Sequence, residues 1–140
     1  MINIFNENVN KPKLSFPAIK KWIKYTILTF NRKIGDISII FCTDEYLLII
    51  NQTYLNHDYF TDIITFNYNI NNIISGDIFI SSDTVKINAS EFNTTEQEEF
   101  LRVIIHGILH LLGFDDQTEN EKQEMRKQEN IALEIFKKSF

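Results

Sequence analysis

Two histidines, His106 and His110, lie four residues apart in the apolar segment that precedes Gly113. Since residues i and i+4 share one face of an α-helix, this spacing predicts a helix with both imidazole rings pointing the same way. Gly113 predicts the end of that helix and a reversal of the chain. The reversal would bring either Asp115 or Asp116 back toward the histidines. Two imidazoles and one carboxylate, with a fourth position open, are typical of a catalytic zinc site.

The predicted helix is apolar on most of its sides, so we expect it to be buried. A buried imidazole needs a polar partner, because leaving it unsatisfied costs about 1–3 kcal/mol. A metal ion would satisfy both histidines at once, whereas hydrogen bonds to core carbonyls or carboxylates are the alternative. Spacing alone leaves the third ligand open among Asp115, Asp116 and His57, the one other histidine. The apolar positions are Phe100, Leu101, Val103, Ile104, Ile105, Ile108, Leu109, Leu111 and Leu112.

The residue after the first histidine is Gly107. In the zinc-protease pattern H-E-x-x-H, a glutamate at this position is the general base. A peptidase mechanism of that kind therefore lacks its base here. A carboxylate ligand also widens the choice of metal toward manganese or nickel.

Length and composition are those of an ordinary globular protein, and we expect one domain over residues 1–140. The formal charge is −5, yet residues 1–33 contain seven lysines and arginines against one acid. This basic segment is either a phosphate-attracting patch or the solvated face of a helix. A single cysteine, Cys42, no membrane-spanning run and no signal-like N-terminus predict a cytoplasmic protein without a membrane partner.

The apolar and turn patterns predict an α+β fold, in which a small mixed sheet of about four strands is flanked by helices. The candidate metal site lies on its central buried helix. We expect Ser15 to cap the first helix, Gly35 to turn the chain and Tyr54 to face the core. Strands are predicted at 2–6, 37–42, 62–68 and 76–81, and helices at 15–32, 44–55, 83–89, 95–112 and 118–137.

Three segments, in order and spacing, resemble the YbeY endoribonuclease (rRNA maturation factor) family. Residues 106–116 match its H-G-x-L-H-L-x-G-Y-D-H motif. Residues 50–54 and 61–66 are similar to its L-N-x-x-Y…T-D-V-L-S-F segment, and residues 76–81 to its G-D-I strand. The first motif is specific, and the resemblance covers essentially the whole chain.

The resemblance implies a single YbeY-like domain that binds one Zn²⁺ per chain. It implies a metal-dependent, single-strand-specific endoribonuclease that acts in 16S rRNA 3′-end maturation and ribosome quality control. The implied partners are single-stranded rRNA and the ribosomal small subunit or its proteins. By position in the motif, the metal ligands are His106, His110 and Asp116.

The chain departs from the family pattern at two positions. Asp116 replaces the third histidine of the motif, and Leu55 replaces an arginine that would hold a phosphate. His57 is a weak candidate for a catalytic substitute, and Tyr59 or Tyr68 for stacking unpaired bases. If chemistry has been lost with the arginine, the alternative is a non-catalytic ribosome-assembly factor with a structural metal.

Overall fold

The chain forms a four-stranded sheet with helices on both faces, in a computed structural model that describes residues 1–140. The predicted α+β class and the predicted order of nine elements are confirmed. None of the five helices has the length and apolar composition needed to cross a membrane. The elements are β1 (Ile2–Glu7), α1 (Phe16–Thr29), β2 (Lys33–Cys42), α2 (Asp44–Leu55), β3 (Ile63–Asn67), β4 (Ile73–Ser81), α3 (Ser82–Glu91), α4 (Glu96–Leu111) and α5 (Glu119–Ser139).

The sheet is mixed, with the strand order β1-β2-β4-β3. β2 runs parallel to both of its neighbours, whereas β3 pairs with β4 in the antiparallel direction. The expected pairing of the third and fourth strands is therefore confirmed, with Ile64 opposite Phe79. The antiparallel pair places the start of β3 beside the end of β4, and the loop that precedes β3 lies at that edge.

Some predicted boundaries and contacts were wrong. Gly35 does not turn the chain but lies inside β2, at the point where the register with β4 shifts. A Cβ atom at this position would collide with the side chain of Ser75, so the strand has no room for a larger residue there. Ser15 precedes α1 without a side-chain capping bond, and Pro17 occupies the first turn instead. Tyr54 is exposed, because the buried positions of α2 are Leu47 and Asn51.

α4 packs against β3 and β4 of the sheet and against α1, α3 and α5, and it is buried along most of its length. Its apolar side chains pack with those of β2, β4 and α1 in the main core. α5 closes the other side, where the carbonyl of Ala132 accepts a hydrogen bond from the buried Trp22 indole at 2.9 Å. The two histidines therefore lie on a helix that is held in place by contacts with the sheet and with neighbouring helices.

Candidate metal centre

The two histidines of α4 point to the same side, as their spacing predicts. The Nε2 atoms of His106 and His110 lie 3.0 Å apart, and the ring planes are nearly perpendicular at 83°. Both side chains are 21% exposed, so each ring is partly open to solvent. A buried helix therefore presents two imidazole nitrogens at the floor of a surface depression.

The loop after α4 returns Asp116 to this pair. Gly113 adopts a φ of +105°, which an L side chain tolerates poorly, and its amide donates to the carbonyl of His110 at 3.0 Å. Next to it, the Phe114 ring packs edge-on against Phe30 at 5.5 Å, which anchors the reversed chain. Asp116 is half-buried beside the histidines, whereas Asp115 is exposed.

The three side chains form a triangle of ligand atoms. Asp116 Oδ2 lies 3.3 Å from Nε2 of His106 and 3.4 Å from Nε2 of His110. Ligand bonds of about 2.0–2.1 Å at tetrahedral angles would separate any two ligand atoms by about 3.3–3.4 Å. The observed separations therefore fit one metal ion held by two nitrogens and one oxygen, with a fourth position open.

Glu129 of α5 fixes the orientation of the first histidine. Its Oε2 lies 2.7 Å from Nδ1 of His106. Because a carboxylate only accepts, Nδ1 carries the proton and the lone pair of Nε2 faces the triangle. Metal-ligating histidines almost always have such a partner on the second ring nitrogen. This hydrogen bond is the second feature of the structure that suits a metal ion.

Charge around His106 also favours a cation in the triangle. Burial disfavours the protonated ring, but the hydrogen bond and charge of Glu129 and the charge of Asp116 outweigh it and raise the pKa of His106. Burial opposes ionisation of Glu129 too, yet its bonds to His106 and Arg102 lower the pKa of its carboxyl. A metal ion at Nε2 would gain from the same negative charges as a proton.

Sequence reasoning missed Glu129, although a signal was present. The buried positions of α5 are Met125, Glu129, Ala132 and Leu133, so one glutamate interrupts an apolar stripe. A charged side chain is almost never buried without a partner. That position therefore indicated a charged or hydrogen-bonding partner on the helix beneath, which the structure shows to be His106 together with Arg102.

Gly107 faces the sheet and not the triangle. A Cβ atom there would lie 2.9 Å from Cγ2 of Ile78 and 3.0 Å from Cδ1 of Ile63. A glutamate at this position would be forced into the core, where it has no route to a bound substrate. The close helix–sheet contact thus explains why the glutamate of H-E-x-x-H is absent, and it argues against a peptidase of that kind.

One cleft of about 330 Å³ opens on the α2 side of the triangle and is lined by His57, Tyr59 and Leu55 together with the three triangle residues. We call it the α2 cleft. His57 forms no hydrogen bond with the triangle residues; its Nδ1 pairs with the Tyr59 hydroxyl at 3.0 Å and the two rings stack. Its role as a catalytic substitute stays a prediction.

A second cleft, of about 420 Å³, opens on the α5 side and is lined by His106, Asp116 and Glu129. Asp62 borders both clefts, and burial raises the pKa of its carboxyl although the His106 charge opposes the shift. None of the lysines and arginines of residues 1–33 lines either cleft, and Tyr68 lies outside them too. The predicted basic patch is thus not part of this site.

Comparison with known proteins identifies the family. The family model described as "Endoribonuclease YbeY" matches residues 4–137. This chain belongs to the YbeY endoribonuclease family. The resemblance seen in the three motifs is therefore confirmed over nearly the whole chain.

Individual relatives support the assignment to the YbeY family. The protein named Endoribonuclease YbeY of Parabacteroides distasonis is 50% identical over 135 residues, which cover 96% of this chain and 95% of that protein. The one of Bacteroides fragilis is 47% identical over 131 residues, 94% of each chain. The solution structure of a Thermotoga maritima protein superposes with a TM-score of 0.72 at 28% identity, covering 97% of this chain and 89% of that one.

Proposed function

We propose that this chain is a metal-dependent endoribonuclease that processes rRNA. The observation that carries the proposal is the triangle of His106, His110 and Asp116, with ligand atoms 3.0–3.4 Å apart in a chain of the YbeY family. The triangle opens to solvent between two clefts. The same geometry would suit any substrate with an oxyanion, and family membership points to RNA.

Zinc is the metal we propose, at one ion per chain. Two imidazoles and one carboxylate are a common ligand set of catalytic zinc. When bound, the ion would supply Lewis-acid stabilisation of the negative charge that develops on the scissile phosphate. His106, His110 and Asp116 would hold it, and Glu129 would keep His106 in the tautomer that ligates.

The two clefts support a single-stranded substrate. Each has the size of a ligand pocket and not of a surface for a double helix. Double-stranded RNA is recognised across its wide, shallow minor groove, which does not enter a cleft of this size. Unpaired nucleotides on either side of one phosphate would occupy the α2 cleft and the α5-side cleft.

The biological setting follows from the family resemblance. We propose that the substrate is single-stranded rRNA at the 3′ end of 16S rRNA, and that the activity serves ribosome maturation and quality control in the cytoplasm. The small ribosomal subunit or its proteins would present that strand. Leu55 leaves the α2 cleft without an arginine, so cleavage there depends on other groups for phosphate binding.

Chelation tests the proposal directly. Purified protein should cleave a single-stranded oligoribonucleotide, lose this activity in EDTA and regain it with zinc, but should leave the matching duplex intact. Cleavage that persists in EDTA would contradict metal dependence. Binding of the oligoribonucleotide without any cleavage in zinc would instead support the non-catalytic assembly factor.

A further inference from the structure

The cleft on the α5 side of the triangle continues into a longer groove. The cleft of about 420 Å³ shares Phe92, Glu99, Arg102 and Arg126 with a neighbouring cavity of about 550 Å³. We call the two together the α5 groove. A polynucleotide that is cut internally extends on both sides of the scissile phosphate. One arm of the strand therefore has to leave the triangle along this groove or over its edge.

Basic side chains near the triangle lie only on the α5 side. No lysine or arginine lines the α2 cleft, where Leu55 stands at the family's arginine position. The α5 groove carries Lys122 and Arg126, which are 56% and 61% exposed. Their only ion pairs are long ones of 3.7 Å, to Glu119 and Glu129 respectively. Both cations are therefore accessible to a phosphate.

The carboxylates of the groove wall do not cancel these two cations. Three of the six have a lysine or arginine partner, Asp116 faces the two histidines, and burial raises the pKa of the other two, Asp62 and Glu99. Arg102 is committed to one of these pairs and is not counted as a free cation. The pairs are Glu98 with Lys137 at 2.9 Å, Glu129 with Arg102 at 2.8 Å and Glu134 with Lys138 at 3.2 Å.

An exposed aromatic ring stands where the two parts of the groove meet. Phe92 follows α3, is 64% exposed, and lines both parts of the groove beside Arg126. A phenylalanine with this exposure gains little from the core of its own chain. Bases of single strands stack on such rings with little regard to sequence.

We propose that the α5 groove binds the RNA strand on one side of the scissile phosphate, with Lys122 and Arg126 contacting phosphates and an unpaired base stacked on Phe92. The inference rests on the proposed function, since it assumes an RNA substrate. It assigns to α5 the phosphate contacts that Leu55 cannot make. These contacts would then fix the position of the RNA strand relative to the triangle.

Fluorescence anisotropy with a labelled single-stranded oligoribonucleotide tests the groove apart from cleavage. The full-length protein is titrated in EDTA, which stops the reaction, at several salt concentrations. Lys122→Ala and Arg126→Ala are compared with Lys127→Ala, an exposed lysine of the same helix that does not line the groove. Phe92→Ala is compared with Tyr68→Ala, another exposed aromatic outside the groove. Circular dichroism verifies that each variant folds.

Lys122→Ala and Arg126→Ala should each raise Kd severalfold and lower the slope of log Kd against log salt by about 0.7. Phe92→Ala should raise Kd about fivefold or more with the slope unchanged. The control variants should bind like the wild type. Wild-type affinity and slope in all three groove variants would overturn the groove while leaving the nuclease proposal intact. A wild type that neither binds nor cleaves RNA would overturn both.

Discussion

Glu129 Oε2 accepts a hydrogen bond from Nδ1 of His106 at 2.7 Å, which connects α5 to the ligand face of α4. The same carboxylate binds Arg102 through its other oxygen. A histidine that is held in one tautomer by a carboxylate is a stronger metal ligand than a free one. The relationship between these residues therefore leads to a prediction about metal affinity.

Glu129→Gln should weaken metal binding about 10- to 100-fold, because the neutral amide holds the His106 tautomer less firmly. Competition with a chromogenic chelator would measure the zinc affinity. Glu124→Gln is the matched control, since Glu124 lies on the exposed face of the same helix. Equal zinc affinities of the wild type and Glu129→Gln would show that Glu129 does not contribute to metal binding.

Gly107→Ala should destabilise the protein by about 1–3 kcal/mol, because its methyl group would press on Ile78 and Ile63 at 2.9–3.0 Å. In an exposed helix the same change would stabilise by about 1 kcal/mol, so the sign is informative. Urea unfolding followed by circular dichroism measures the difference, with Gln97→Ala on the exposed face of α4 as control. A stabilised Gly107→Ala variant would show that α4 is not packed so closely on the sheet.

Because Glu98 titrates, we predict a small dependence of the free energy of unfolding on pH. Its pKa is lowered by the hydrogen bond from Thr94 at 2.7 Å and then by Lys137 at 2.9 Å. A lowered pKa in the folded state stabilises the protein above the ordinary carboxyl pKa, and this stabilisation is lost as the pH falls. Glu98→Gln should therefore cost up to about 1 kcal/mol at pH 7, since the pair is exposed, and less at pH 3.

Urea unfolding at the two pH values would measure this effect. A cycle with Lys137→Gln separates the ion pair from the bond to Thr94. An equal cost of Glu98→Gln at pH 7 and pH 3 would show that ionisation of Glu98 does not contribute.

Cys42 should be inert in the folded protein. Burial, followed by the charge of Asp44, raises the pKa of its thiol to about 12, so about one ten-thousandth of it is thiolate at pH 8. Reaction with Ellman's reagent should be negligible in buffer and reach one thiol per chain in denaturant. Rapid reaction of the native protein would mean that Cys42 is not buried as described.

Much of the architecture was accessible from the sequence, because local patterns and tertiary contacts agree there. The α4 helix shows this best. Thr95 caps its start by accepting a hydrogen bond from the amide of Glu98, the apolar residues follow, and Gly113 marks its end. β2 was predicted too short, because the close approach of Gly35 to Ser75 depends on a neighbouring strand. The secondary-structure propensity of a single residue carries no information about its contacts with a neighbouring strand.

The candidate site, like the fold, was only partly predictable from the sequence. Spacing on one helix placed His106 and His110 together, because residues i and i+4 are related locally, but it left the third ligand open among Asp115, Asp116 and His57. The path of the loop brings Asp116, and not Asp115, next to the two histidines. The position of Glu129 in the apolar stripe of α5 indicated a buried partner, but the identity of that partner, His106, depends on how the two helices pack.

Metal content tests the central claim most directly. Protein purified without added metal should contain about one zinc per chain by mass spectrometry, and Asp116→Ala should lose it, whereas Asp115→Ala should retain it. This result is expected because Asp116 Oδ2 lies 3.3–3.4 Å from both imidazole nitrogens and Asp115 is exposed. Equal metal in the wild type and Asp116→Ala, or no metal in either, would contradict the site.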